Sequence, residues 1–498
     1  MNITTLLRKF LIIVLIFPPF MVNGHDKIPL NRMDYHLSWD GNSSVLKIDL
    51  FYNATAKDST VFTYGIPEAG GQPHIFDILG KITVGADDSL LIRAKDRGVV
   101  VYHNSDGLKK LHFEIDGQLV INPKRALANE AFRPTIAPGF LYTLGYQLFM
   151  SVSENKYTDI GIVWDSWPKE MPYLASTNPE AKPGDIQFIK ANDTEKNSFM
   201  LQMSKDLVIK KYIIKGIPNY LLTSKSDSTS GLPKDITSLM TGFIPQVRDF
   251  WQDYKAPFYI LSAIPLRNDV ESTMTGMGLL NGLSIRYKGP LDIEKVQLIS
   301  HEISHNWIGV RLKYKSIGME NNWFNEGFND YIAIYNLNRA GLFDKKAFLN
   351  HMNKHNFKAH YTSPVGTIAG DSIEPNFFKS RLYEKIPYQR GLIYAFYLDN
   401  QIRLATGRKH TIRHFLTSLY ARNLKDQGRP ITIEDFTKCL SDFLPGKDIV
   451  TEINNYMLGG ELIDFNNVKL IDDFRIIDVD HVPVLSLSKK ADLKKIYN

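Results

Sequence analysis

The chain has 498 residues, 44% of them hydrophobic and 22% charged, which is the balance of a globular protein long enough for more than one domain core. Its 59 basic and 53 acidic residues leave a net charge of +6 with no basic block, so the electrostatic footprint of a nucleic-acid partner is missing. A single cysteine, Cys439, excludes an intramolecular disulfide.

In chain order, residues 1–24 read as a secretory signal peptide. Arg8 and Lys9 precede an apolar run from Phe10 to Val22, and Val22 with Gly24 makes a cleavage point. The run is interrupted by Pro18 and Pro19 and is short for a bilayer span. The expectation is export, periplasmic or secreted, with no membrane insertion after cleavage; the alternative is retention as an anchor. Residues 25–225 carry short alternating segments such as SSVLKIDLFYNAT, KKLHFEIDGQLVI and DLVIKKYIIKG, separated by Asp40-Gly41, Asp106-Gly107 and Asp116-Gly117. Period-two alternation between turn signals predicts an N-terminal antiparallel β domain, a sandwich. The Ser-, Asp- and Gly-rich stretch 224–235 marks its end.

The next predicted elements are a helix over DITSLMTGFIPQVRDFWQDY with a kink at Pro245, and a strand at PFYILSAIPL. In KVQLISHEISHNWIGV, Val296, Leu298, Ile299, Ile303 and Trp307 recur at helical spacing. His301 and His305, four apart, share one face of that helix and can point at one metal ion, with Glu302 beside them to reach a water. A catalytic zinc needs a third protein ligand and an open position. Glu326 supplies it from a second helical pattern, NNWFNEGFNDYIAIYNLNRAG. In HMNKH, His351 and His355 repeat the spacing without an activating glutamate, which predicts a solvated helix face. Trp307, Trp323 and Phe324 are assigned to packing, and Cys439, in IEDFTKCLSDFL, is a buried small hydrophobe.

HExxHxW at 301–307 with NEGF at 325–328 and PYQRG at 387–391 resembles the gluzincin metallopeptidases, in particular aminopeptidases with a thermolysin-like catalytic domain. The run GLIYAFYLDNQIRLATGRKHTIRHFLTSLY and YMLGGELIDF at 456–465 is most similar to the glycyl aminopeptidase family and, more distantly, to the M1 aminopeptidase family. The resemblance covers about residues 270–465. It implies an α+β multidomain chain: the β domain, a mainly helical thermolysin-like catalytic domain over 226–465, and a C-terminal tail over 466–498 with no PDZ-like domain.

It also implies Zn2+ on His301, His305 and Glu326, with Glu302 as general base and Tyr388 as donor to the oxyanion. Asp330 resembles the carboxylate that orients a zinc histidine, the alternative being a helix-surface aspartate. The segment TGMGLLNGLSIRY occupies the place of Gly-Gly-x-Glu-His or Gly-x-Met-Glu-Asn, whose glutamate holds the substrate's amino terminus. There Gly278, Leu280 and Asn281 are the candidate substrate contacts, and Leu280 stands where the glutamate belongs, with Asp269 or Glu271 as nearby substitutes. The expectation is a zinc metallopeptidase acting on a peptide or protein substrate, aminopeptidase-like with altered recognition of the amino terminus. Its alternatives are an endopeptidase of the same chemistry and a catalytically slow, zinc-bound peptide-binding protein. The sequence sets no oligomeric state.

Overall fold

The computed structural model describes residues 28–498 apart from 56–57, 65–73, 94, 96, 119–132, 153–155, 228–231, 267–273, 316–321 and 378–379. The expected signal peptide, Asp269 and Glu271 lie outside the described residues.

Alternation makes the first part of the chain β structure. In Val45–Ala54, Leu46, Ile48, Leu50 and Tyr52 are buried while Lys47, Asp49 and Phe51 between them are more exposed, the signature of a strand with one face on a core. A six-stranded sheet runs in the order Gln187–Lys190, Asp159–Ser166, Arg32–Ser38, Val45–Ala54, Gly107–Asp116, Thr83–Val84, and two four-stranded sheets complete the β domain. Its one parallel pair among the described residues joins Arg32–Ser38 to Asp159–Ser166. Tyr35, Leu37, Ile48, Leu50, Phe62, Val99 and Phe113 form the core.

A further five-stranded sheet comprises β1 (Leu207–Ile214), β2 (Ile217–Ser224), β3 (Tyr259–Pro265), β4 (Met274–Leu279) and β5 (Gly282–Tyr287), in the order β1-β2-β3-β5-β4. Strand β2 pairs in parallel with β3, starting at Asn219 with Tyr259. Residues 207–224, which the sequence places in the expected β domain of 25–225, thus share a sheet with strands of the expected catalytic domain of 226–465. The hairpin DLVIKKYIIKG and its return strand belong to the catalytic half, because alternation identifies a strand but not the sheet that it joins. One face of the sheet meets the β domain through Tyr142, Leu144, Met200, Tyr220, Ile260 and Leu279, and the Tyr142 hydroxyl lies 2.7 Å from Ser284 Oγ.

Helices cover the other face. They are α1 (Leu232–Trp251, with Pro245 inside), α2 (Ile293–Ser304), a π-helical turn Trp323–Phe328 running into α3 (Asn329–Ala340), α4 (Arg381–Ala405), α5 (Ile412–Lys425) and α6 (Ile433–Leu440). Leu221, Leu261 and Ile285 of the sheet share one core with Phe243, Ile303, Phe328, Phe396 and Phe415 of the helices. Cys439 is buried there, as its helical pattern predicts. The architecture is the expected one, an antiparallel β domain followed by a mainly helical domain. No helix among the described residues is long and apolar enough to cross a membrane.

Residues 466–498 are not a free tail. They fold as a hairpin, β6 (Phe474–Val479) and β7 (Val482–Leu487), followed by a short helix Leu493–Ile496. Phe474, Leu485, Leu493, Ile496 and Tyr497 belong to the catalytic core. The Tyr497 ring centroid lies 4.8 Å from that of Tyr335, and Arg403 Nη1 donates to the Ile496 carbonyl at 2.8 Å. A segment this short cannot bury enough surface to fold alone, but it can complete a neighbour's core.

Candidate active site

Helix α2 is capped by Asp292, whose side chain accepts from the Lys295 amide. Its apolar positions Ile299 and Ile303 face the core, which turns His301 and His305 together toward α3. His301 Nε2 lies 3.2 Å and His305 Nε2 3.4 Å from the same Glu326 oxygen, Oε2. One ligand atom from each of the three residues falls within 4.8 Å of the others.

The far nitrogens define the tautomers. His301 Nδ1 is 2.7 Å from Asp330 Oδ1, and His305 Nδ1 is 3.0 Å from the Ile308 carbonyl oxygen. A carboxylate and a carbonyl only accept, so each Nδ1 carries a hydrogen, which leaves each Nε2 as the nitrogen that would give its lone pair to a metal at the common point. Asp330 thus lies behind the His301 ring, on the side away from Glu326. Two imidazole nitrogens and one carboxylate oxygen form the donor set of a catalytic zinc, which they fit.

Charges in the site reinforce one another. Burial opposes ionisation of Glu326, but the His305 charge and hydrogen bonds from both histidines hold its carboxyl well below the usual range. Burial likewise opposes protonation of His301, yet the charge of Asp330 and its hydrogen bond raise that ring well above its ordinary value. Burial, then the charges of Glu326 and Glu302, push Tyr388 well above the phenol range, so it remains a hydroxyl and a donor.

The glycines of the two motifs explain how Tyr388 reaches the site. A Cβ at Gly327 would overlap the Gly391 backbone, and one at Gly391 would overlap the Trp323 carbonyl oxygen. The NEGF turn and α4 therefore cross backbone against backbone, and Tyr388, three residues before Gly391, stacks near His301 with ring centroids 5.9 Å apart and planes at 23°. Glu302 is 9% exposed and faces β4, an edge strand; a Cβ at Gly276 would stand 2.6 Å from Glu302 Cγ.

The three candidate substrate contacts are placed differently from one another. Gly278 backs onto His305, since a Cβ there would be 2.6 Å from His305 Cβ. Leu280 and Asn281 form the two-residue turn between β4 and β5, with Asn281 at φ +59°. Asn281 is committed to that turn: its amide donates to Asn306 Oδ1 at 2.7 Å and its side-chain oxygen accepts from Arg311 Nη2 at 2.6 Å. Trp307, Trp323 and Phe324 are buried, as expected for packing, and Trp307 Nε1 donates to Asp253 Oδ2 at 3.0 Å.

Sequence reasoning missed several neighbours. Asn329 Nδ2 donates to the His301 carbonyl at 2.8 Å, from the position just after NEGF. His351 is only 8% exposed and lies 3.2 Å from Gln297 on α2, so the expectation of a solvated face for HMNKH is corrected at this histidine. Isolated i, i+4 histidines carry no burial signal of their own. Lys385, whose ammonium lies 4.2 Å from the centre of the Tyr388 ring, gave no signal either.

With this geometry in hand, comparison with known proteins gives a consistent picture. Residues 290–455 match the model of the peptidase family M1 domain, the more distant of the two resemblances drawn from the sequence. Leucine aminopeptidase 2 of Coccidioides immitis (strain RS) is 25% identical over 161 residues, 30% of this chain and 23% of that protein. Leucine aminopeptidase 2 of Emericella nidulans is 24% identical over 156 residues, 30% of this chain and 24% of that protein. The match thus spans less than a quarter of these relatives' length. Among solved structures, an aminopeptidase N family protein from Idiomarina loihiensis superposes with a TM-score of 0.69 at 15% identity, over 87% of this chain and 77% of that one. An M1 zinc metallopeptidase from Deinococcus radiodurans, bound to a Tyr-Ser-Ala substrate, gives 0.55 at 13% identity over 87% and 95%. With the fold of these proteins and a match of residues 290–455 to the family model, the chain carries an M1-like gluzincin domain.

Proposed function

We propose that this chain is a zinc metallopeptidase that hydrolyses peptide bonds. The observation that carries the reading is the convergence of His301 Nε2, His305 Nε2 and Glu326 Oε2 on one point, flanked by Glu302 on α2 and Tyr388 on α4. Zinc held by that set supplies Lewis acidity, which acidifies water and polarises a carbonyl. Glu302 is the general base: it takes the proton of the attacking water and returns one to the leaving amine. The Tyr388 hydroxyl donates a hydrogen bond to the oxyanion, a contact stronger in the transition state than in the ground state. Asp330 holds the His301 ring in its tautomer, and the edge of β4 borders the substrate's path.

The family model and the fungal leucine aminopeptidases support an aminopeptidase-like activity. In this reading, selection for a free amino terminus is weakened, because the β4–β5 hairpin, residues 274–287, contains no carboxylate to receive an ammonium. That favours a second reading, an endopeptidase of the same chemistry. The leader-like residues 1–24 support export, which would leave a mature amino terminus after Gly24, read directly by terminal sequencing of the processed protein.

The test uses peptides with free and acetylated amino termini, together with metal analysis. Glu302→Gln is expected to retain zinc and lose most turnover, whereas Glu326→Gln loses zinc itself. Acetylation is expected to cost little; if it abolishes cleavage, the enzyme selects the free amine by another group. Full turnover in zinc-free protein would refute the proposal.

A further inference from the structure

Lys385 stands apart from the catalytic groups already described. It precedes Tyr388 by three positions on α4, so the two side chains share a face of the helix, and its ammonium lies 4.2 Å from the centre of the tyrosine ring. The carboxylates close enough to act on Tyr388 are those of Glu326, Glu302, Glu384 and Asp330. Such an acidic pocket would attract a lysine into a short ion pair, yet Lys385 makes none. Its nearest carboxylate is its neighbour Glu384 at 4.0 Å, which Arg381 approaches at 3.9 Å as well. Among the described residues its three N–H donors make no hydrogen bond, and the side chain remains 36% exposed.

A partly exposed lysine side chain with no hydrogen bond among the described residues, beside the oxyanion donor, is placed to meet an anion carried by the substrate. Extended chain advances about 3.3–3.6 Å per residue. A carboxylate one or two residues beyond the scissile carbonyl, itself addressed by the Tyr388 hydroxyl, therefore falls within reach of Lys385.

We propose that Lys385 is a specificity-determining residue that binds a substrate carboxylate one or two residues from the scissile bond, so that short peptides ending there in a free carboxylate are preferred. The inference rests on the peptidase reading. An acidic side chain at the same place offers identical chemistry, and the two sources are separable by experiment.

The experiment compares kcat/KM of the zinc-loaded full chain on di- and tripeptides ending in a free acid or an amide, and on longer amides with Glu or Gln near the scissile bond. The free acid is expected to exceed its amide by about tenfold, the scale of one charge-assisted hydrogen bond. A Glu-over-Gln preference in the longer amides identifies the side-chain source instead. Lys385→Met should bring the discriminating ratio close to one, and Lys385→Arg should restore it. Hydrolysis indifferent to both carboxylates, or a ratio unchanged in Lys385→Met, overturns the assignment while leaving the peptidase reading intact. If the zinc-loaded, unaltered protein cleaves none of these peptides, the peptidase reading falls and the Lys385 proposal falls with it.

Discussion

Asp330 does for His301 what the Ile308 carbonyl does for His305: each fixes an Nδ1 hydrogen so that the opposite nitrogen is free to ligate. The two supports differ in charge, and only the carboxylate raises the basicity of its histidine. Asp330→Ala is therefore expected to weaken zinc binding by about 10- to 100-fold, measured by competition with a chelator. Tyr388→Phe is expected to lower kcat by about 100- to 1,000-fold, the scale of one lost oxyanion donor, with KM nearly constant. A KM that rises at constant kcat would instead assign Tyr388 to ground-state binding. Away from the metal, burial pushes His351 down to about 4 and His360 to about 3. Unfolded, these rings protonate near 6.5, so between that pH and the folded values the unfolded chain holds more protons. The stability that each provides is intact above pH 6.5 and is lost as pH falls toward the folded value. His360→Leu should accordingly flatten the fall in Tm between pH 6.5 and 4 in a calorimetric series.

Among elements, the crossing of α4 over the NEGF turn sets the geometry of the site, because the close approach of the Gly327 and Gly391 backbones relates Tyr388 to Glu326. Gly391→Ala forces a methyl group into the Trp323 carbonyl, which costs about 1–3 kcal/mol as overpacking and displaces Tyr388. The expected result is a lower melting temperature together with a kcat loss out of proportion to it, while α2 and its two histidines keep their places. Equal kcat at a reduced melting temperature would mean that α4 relaxes without moving the tyrosine. The same crossing explains why NEGF and PYQRG each contain a glycine, a requirement visible as composition but interpretable only once the two segments are in contact.

On the scale of the whole molecule, the catalytic core extends from Leu207 to the last residues. Tyr497, with no exposure, packs on Tyr335 and Phe348 beneath α3, the helix that carries Asp330. Tyr497→Ala is expected to cost about 3–5 kcal/mol, as for other large aromatic truncations, in denaturant unfolding. An unchanged midpoint would show that residues 466–498 are dispensable. The interface between the β domain and the five-stranded sheet combines an apolar cluster that includes Leu279, at the end of β4, with the Tyr142–Ser284 and Ser262–Gln202 hydrogen bonds. The β domain thereby braces the edge strand that faces Glu302.

What the sequence determined by itself was local. Helical spacing makes His301 and His305 neighbours whatever surrounds them, Glu302 follows by one position, and Glu326 and Asp330 lie one turn apart. Alternation made the β strands legible in the same way, since side-chain direction along a strand is a property of the backbone. The tertiary structure decided partnership. It assigned β1 and β2 to the catalytic sheet, drew residues 466–498 into the core, committed Asn281 to a turn, buried His351, and brought Lys385 over Tyr388. Periodicity records which face of an element is buried, whereas the identity of what covers that face depends on long-range packing, which no local pattern contains.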